Sequence, residues 1–370
     1  VFDLLTLSKI YELAISWGIE ADPRGNVEVR RVLGKTRKSY NELKKKEKEE
    51  FDADALFNPY PDTRILYGDR EQKVENIFIG IDMEVGEILL ADRLKEKGEK
   101  IDLIISHHPE GYAWAGFYEV MNMQADILNK YGVPINVAEG ILKDRIKEVE
   151  RKVMPANHQR AVDCARLLGI PFICIHTPAD NLVTSYLQAE IESKKLATLK
   201  DLLDFLKKIP EYKTATDGKA GPKILVGGPE NKCGKIFVDM TGGTEGSKKA
   251  PEKLVQAGIG TVIGMHMGEE LRKKAEKNFL NVIIAGHIAS DNIGLNLFLD
   301  KLSKEGKIKV TGCSGFRRVE RSKEEEEVEE KVEEKEEEGA KEEEKEKKEE
   351  QPTTNNQQPT AKKDDSRRDS

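Results

Sequence analysis

Residues 101–108, IDLIISHH, carry a short apolar run toward two adjacent histidines, and residues 280–287, LNVIIAGH, carry another toward one. A short run of leucine and β-branched side chains suits a strand buried on both faces. Strands are therefore expected at 103–105 and 282–284. Working outward, similar runs occur at 77–81, 172–175, 236–238 and 261–263. Between them, apolar residues take helical spacing at 85–97, 120–130, 160–168, 199–207, 251–257 and 269–277. Strand alternating with helix predicts an α/β fold with a largely parallel sheet covered on both sides, because parallel neighbours need crossovers and helices supply them. The likeness of the two quoted stretches points to two lobes built on one plan.

Charge divides the chain. Its 370 residues hold 68 acidic and 61 basic side chains, a net of -7. Residues 321–370 contribute 20 acidic and 12 basic residues, which leaves residues 1–320 at +1. A balanced body lacks the clustered positive excess of a nucleic-acid surface. The Glu/Lys-rich end cannot build a core, so disorder is expected there, with solubility or protein binding as its role. Residues 4–17 have helical spacing and 41–50 a charged helical composition, and both read as peripheral. Residues 58–68, with two prolines and a closing glycine, read as a loop leading to the first strand. The resulting division is a helical, charged region at 1–60, an α/β body at 61–320 and a tail at 321–370.

Cys164, Cys174, Cys233 and Cys313 form no C-x-x-C pair and read as reduced thiols. No apolar run approaches the ~20 residues of a membrane span, and no signal-peptide layout opens the sequence. A cytoplasmic protein is expected.

Of the six histidines, all but His158 fall within three residues of an expected strand's carboxyl end: His107, His108, His176, His266 and His287. Those ends line the ligand crevice of open α/β sheets. Asp180 follows His176 by four residues and Asp291 follows His287 by four, a spacing that lets a helix bring both to one ion or to two. Imidazole with carboxylate suits zinc, manganese or iron. His107 and His108, adjacent on a strand, can share a site only where the chain turns, and Pro109 supplies a turn. The segment 241–246, TGGTEG, is either an anion cradle or a permissive turn. No Walker loop or G-x-S-x-G elbow occurs.

Three segments in order, DLIISHHP at 102–109, HTPAD at 176–180 and GHIASD at 286–291, resemble the landmarks of the Nif-three-like family. These are dinuclear metal proteins often labelled GTP cyclohydrolase one, type two. The resemblance spans roughly residues 60–305. It implies two interleaved α/β/α lobes with the metal site in the cleft between them. It also implies His107, His108, Asp180, His287 and Asp291 as ligands of two divalent ions. His107 and His287 would serve one ion, His108 and Asp180 the other, and Asp291 would bridge. His176 and His266 would act behind the ligands or on substrate. Asp82 follows a strand, where a strand-end cap is at least as good a reading as the site aspartate the resemblance implies. Asp291 stands where the family commonly has glutamate, and the charged stretch 143–158 is another departure. The implied activity is a metal-dependent hydrolase, GTP cyclohydrolase-like, using metal-activated water on a small molecule such as a nucleotide, in a ring-shaped homo-oligomer. A metal scaffold or chaperone without turnover, and a mononuclear phosphoesterase, are the alternatives.

Overall fold

In the computed structural model, which describes residues 4–321, the apolar runs become strands of two sheets, all interior except the one at 235–239. The strands are β1 (Leu5–Thr6), β2 (Arg64–Tyr67), β3 (Lys73–Val74), β4 (Asn76–Gly80), β5 (Leu103–Ser106), β6 (Phe172–Cys174), β7 (Lys223–Val226), β8 (Lys235–Asp239), β9 (Ile259–Gly264), β10 (Asn281–Ile284) and β11 (Lys309–Gly312). The first sheet has the order β11-β4-β5-β6-β2, parallel except for β2. The second has the order β7-β10-β9-β8, parallel except for β7. β1 and β3 form a small antiparallel pair. Each sheet is thus a parallel set with one antiparallel edge strand, and the two look-alike stretches supply an interior strand to each.

Alternation along the strands assigns their faces. Ile79, Ile105 and Ile173 turn to one side of the first sheet, against the helices Leu7–Glu20, Thr177–Glu192 and His287–Glu305. Phe78, Ile104 and Phe172 turn to the other, against Val85–Glu96 and Arg160–Leu168. In the second sheet Val238, Ile263 and Ile283 meet Val183, Leu187 and Ile293. Its other face, with Phe237, Val262 and Val282, meets Met123, Ile127 and Leu254. The helices Thr177–Glu192 and His287–Glu305 therefore belong to both cores and form a middle layer between the sheets. They approach so closely at Gly294 that a Cβ there would lie 2.4 Å from the carbonyl oxygen of Ala179.

Register then places the chemistry. Gly80, Ser106 and Cys174 are paired across β4, β5 and β6, so these strands end level. The chain leaves those ends at Asp82, His107, His108 and His176, facing the first turns of the two middle helices.

The N-terminal helix differs from the expectation. It runs Leu7–Glu20, and Leu7, Ile10, Tyr11, Ala14, Ile15 and Trp17 are all buried in the first sheet's core. A helical apolar stripe shows that a face is covered without showing by what, and here the cover is the middle layer, with Gly18 tight against Pro178. The short helix Lys45–Glu49 is peripheral as expected, with no buried residue. The segment 58–68 is a loop only through Thr63, and its last part is β2. The helix Ile135–Val153 covers much of the charged stretch 143–158. Most of the Glu/Lys-rich tail, from residue 322 on, lies outside the described residues. No helix among the described residues is long and apolar enough to cross a membrane.

Candidate metal centre

The structure brings His107, His108, Asp180, His287 and Asp291 together at the carboxyl end of β5 and the first two turns of the middle helices. His107 continues the face of Leu103 and Ile105 and is buried. Its Nδ1 lies 3.1 Å from the carbonyl oxygen of Ile175, which can only accept, so Nδ1 carries the proton. Its Nε2 is thereby turned to Asp180 Oδ1 and Asp291 Oδ1, each at 3.4 Å. His108 faces the other way, as strand geometry requires, and reaches the cluster because the chain turns. Its main-chain N–H donates to Ile81, and the Ser106 hydroxyl donates to its carbonyl. Its Nδ1 is 2.6 Å from Asp82 Oδ1, and its Nε2 is 3.6 Å from Asp291 Oδ2. His287 opens its helix one turn before Asp291, with Nε2 3.6 Å from the same Oδ2.

These separations decide what the cluster is built for. At 3.4–3.6 Å they exceed a good N–H···O distance. Two ligands at ~2.1 Å from a shared tetrahedral ion stand about 3.4 Å apart. In addition, His107 Nε2 and both Asp291 carboxylate oxygens are buried with no hydrogen-bond partner. Buried polar atoms are rarely left so, because the desolvation cost is uncompensated. The imidazole and carboxylate donors fit a divalent ion, and the buried His/Asp groups can hold one. The triads with donor atoms mutually within 4.8 Å are His107–Asp180–Asp291, His108–His287–Asp291 and His107–His108–His176. This grouping departs from the one the resemblance implies: His107 goes with Asp180, and His108 with His287. The two oxygens of Asp291 face the two groups separately, Oδ1 toward His107 and Oδ2 toward His108 and His287.

Electrostatics follow the same geometry. Burial alone would lower the pKa of His107, but the Asp291 and Asp180 carboxylates outweigh it and hold it well above the usual imidazole value. Burial would raise Asp291, and the three facing histidines instead keep it below the ordinary carboxylate range. Burial pulls His287 down despite Asp291 beside it. The hydrogen bond from His108 keeps Asp82 low.

His176 is buried beside the cluster, its ring centroid 4.9 Å from that of His107. Its Nδ1 is bound to Asp62 Oδ2 at 2.8 Å. Asp62 was not legible in the sequence: it sits in the loop before β2, 114 residues from His176, and no local spacing connects them. The His266 ring centroid lies 5.0 Å from that of His287, the two rings tilted by 52°, but His266 joins none of the donor triads. His158 stands apart, bound to the Val153 carbonyl and edge-on to Trp114.

A cleft of about 550 Å³ opens over the cluster, lined among others by Asp82, His108, Trp114, Phe117, His176 and His287. That is the size of a small-molecule site. The glycine-rich segment after β8 forms one edge through Gly243 and Thr244. Gln124 holds it by donating to the carbonyls of Gly242 and Thr244, both at 2.7 Å, and Gly242 and Gly243 take φ of +94° and +87°, which favours glycine.

No protein-family model matches the chain, and no curated protein matches it. Among solved structures, a NIF3 superfamily protein from Sphaerobacter thermophilus is similar, with a TM-score of 0.59 and 26% identity, covering 69% of this chain and 92% of that one. Reduced HcgD from Methanocaldococcus jannaschii matches with a TM-score of 0.42 and 14% identity, covering 67% of this chain and 87% of that one. With three motifs in order along the sequence, and their histidines and acids gathered at one cleft of the fold shared with the Sphaerobacter protein, this chain resembles the Nif-three-like proteins in fold and in its candidate metal site.

Proposed function

We propose that the protein is a hydrolase working with two divalent ions, each held by one of the two donor groups that share Asp291. The observation that carries this reading is the set of buried, unpartnered donor atoms at His107 and Asp291, spaced like the edges of a coordination polyhedron. Zinc, manganese or iron suits three imidazoles with two carboxylates. When bound, such a pair lowers the pKa of water toward ~7 and polarises the substrate's electrophilic atom. The chain's own residues prepare for this. The Ile175 carbonyl and Asp82 engage Nδ1 of His107 and of His108, so that Nε2 is the atom each turns to the cluster. Asp291 holds the two groups at a fixed spacing. Trp114 and Phe117 wall the cleft and give a planar substrate an apolar surface. The substrate class is a small molecule with a hydrolysable bond, a nucleotide among the candidates.

The test is a panel of nucleotides and phosphoesters assayed with metal-loaded and chelator-stripped protein, alongside metal content. Turnover that follows the metal supports the reading. Two tightly held ions with no turnover on any member returns the scaffold alternative, and about one ion per chain returns the mononuclear one.

A further inference from the structure

A turn closes on itself through main-chain hydrogen bonds, and the segment 241–246 at the edge of the cleft does not. Among the described residues, its main-chain groups bond to no other main chain. Side chains hold its carbonyls instead. One atom, Gln124 Nε2, donates to the carbonyls of both Gly242 and Thr244 at 2.7 Å, and Arg145 Nε donates to that of Glu245 at 3.0 Å. The Thr241 hydroxyl donates to Oδ1 of the buried Asn181 at 2.7 Å and pins the segment's start. Every peptide bond here is trans, so each N–H points away from the carbonyl of the residue before it. The N–H groups of Gly243 and Glu245 therefore turn to the side opposite Gln124, and among the described residues neither meets a main-chain acceptor. Gly243 and Thr244 line the cleft beside His266 and His287, and Gln124 does not. Only glycine fits at 243, since a Cβ there would stand 2.9 Å from Val120 Cγ1. The Glu245 carboxylate is itself engaged, accepting from the Gly268 N–H. Asp239 lines the smaller hollow on the Gln124 side and not the cleft.

Resting on the reading of the cleft as a substrate site, we propose that this edge binds an anionic oxygen group of the substrate, a phosphate or a carboxylate, through the main-chain N–H groups of Gly243 and Glu245. Gln124 is the positioning residue behind them. Successive main-chain N–H groups make anion-binding concavities, and a hydrogen bond to a charged oxygen is roughly twice as strong as one to a neutral acceptor. A merely permissive turn would need the two glycines, but not a side-chain amide that draws two carbonyls to one side. The charges of the cleft agree. Its carboxylates, Asp82, Glu84 and Glu110, follow β4 and β5 of the first sheet, whereas the glycine edge and His266 follow β8 and β9 of the second. The substrate then lies with its anionic group against the second sheet's wall and its electrophilic atom at the His/Asp cluster.

The experiment titrates phenyl phosphate, benzoate and, as the neutral control, benzyl alcohol into the full chain by calorimetry, both metal-loaded and chelator-stripped. In both forms the wild-type protein is expected to bind one of the anions at least about tenfold tighter than the alcohol, and the tighter anion names the group. Gln124→Leu, which removes the amide without adding charge, should erase that preference while metal content and alcohol binding hold, a selectivity that a general loss of structure would not produce. Gly243→Ala should do the same, and Gln124→Leu carries the test if Gly243→Ala does not fold. A preference for anions kept at the wild-type level in Gln124→Leu, or seen only with metal bound, would place the anion elsewhere and overturn the proposal. A Gln124-dependent preference in a chain that takes up no metal ion would overturn the metal-dependent reading and leave the glycine edge standing.

Discussion

His107 and His287 end the two look-alike stretches, one in each sheet's lobe, yet they meet opposite environments. His107 is enclosed, with 1% of its surface exposed, and two carboxylates raise its pKa. The His287 side chain keeps 39% exposure, and burial of the remainder, with His108 and His266 nearby, lowers its pKa. A repeated local pattern therefore delivers the same side chain without delivering the same chemistry. What differs is the layer each tip meets: β5 runs into the first turns of both middle helices, whereas His287 is itself the first residue of one of them. The adjacent pair His107–His108 shows the same contrast within two residues, because alternation sends one inward and the turn brings the other back from the cleft side.

Substitution of Asp291 breaks the comparison most severely, since its two oxygens serve both groups. Asp291→Ala should reduce metal content from two ions per chain toward none by elemental analysis. Retention of one ion at wild-type affinity would mean that the groups do not share it. Gly294→Ala is next. A Cβ there meets the Ala179 carbonyl, so the middle helices must part, at a cost of about 1–3 kcal/mol seen as a lower Tm. Because Asp180 and Asp291 ride on those helices, metal affinity should fall with stability. An equally destabilising change outside the middle layer should leave affinity alone.

The opposed pKa directions sharpen the comparison through pH. His107 is raised in the metal-free protein, so its contribution to stability is present below about pH 6.5 and is lost as pH rises through its higher folded value. An ion must displace that proton. Affinity at the buried group should therefore fall by up to about tenfold per unit as pH drops below the folded value, measured by cobalt titration. His287, with its lowered value, adds this penalty only at lower pH, so His287→Ala should leave the slope intact and His107→Ala should remove it. The smallest effect belongs to His266→Ala. Its ring touches His287 but enters no donor triad, so metal content should hold and only the KM of a substrate in the cleft should change.

Much of this arrangement could be read from the chain before folding. β4, β5, β6, β8, β9 and β10 are buried on both faces, and such strands leave continuous apolar runs. The edge strands β2, β7 and β11 are short and partly exposed and leave no comparable pattern, whereas β8, also at an edge, is readable because Phe237 and Val238 are buried on its two faces. The apolar stripe of Leu7–Glu20 was visible, but its partner, the middle layer, is a tertiary fact. The histidines and acids of the cluster stood out because helices and strands end where they do. Their grouping did not, because it depends on which oxygen of Asp291 faces which imidazole. Asp62 was hidden for the same reason: its link to His176 exists only once the loop before β2 closes over β6.

The central claim is that Asp291 lies between two donor groups that each hold an ion. Anomalous scattering from a crystal of the metal-loaded protein tests it most directly. The account predicts two peaks flanking Asp291, about 3.5–4 Å apart, one near His107 and Asp180 and one near His108 and His287. A single peak away from Asp291, or none at full metal loading, would contradict it.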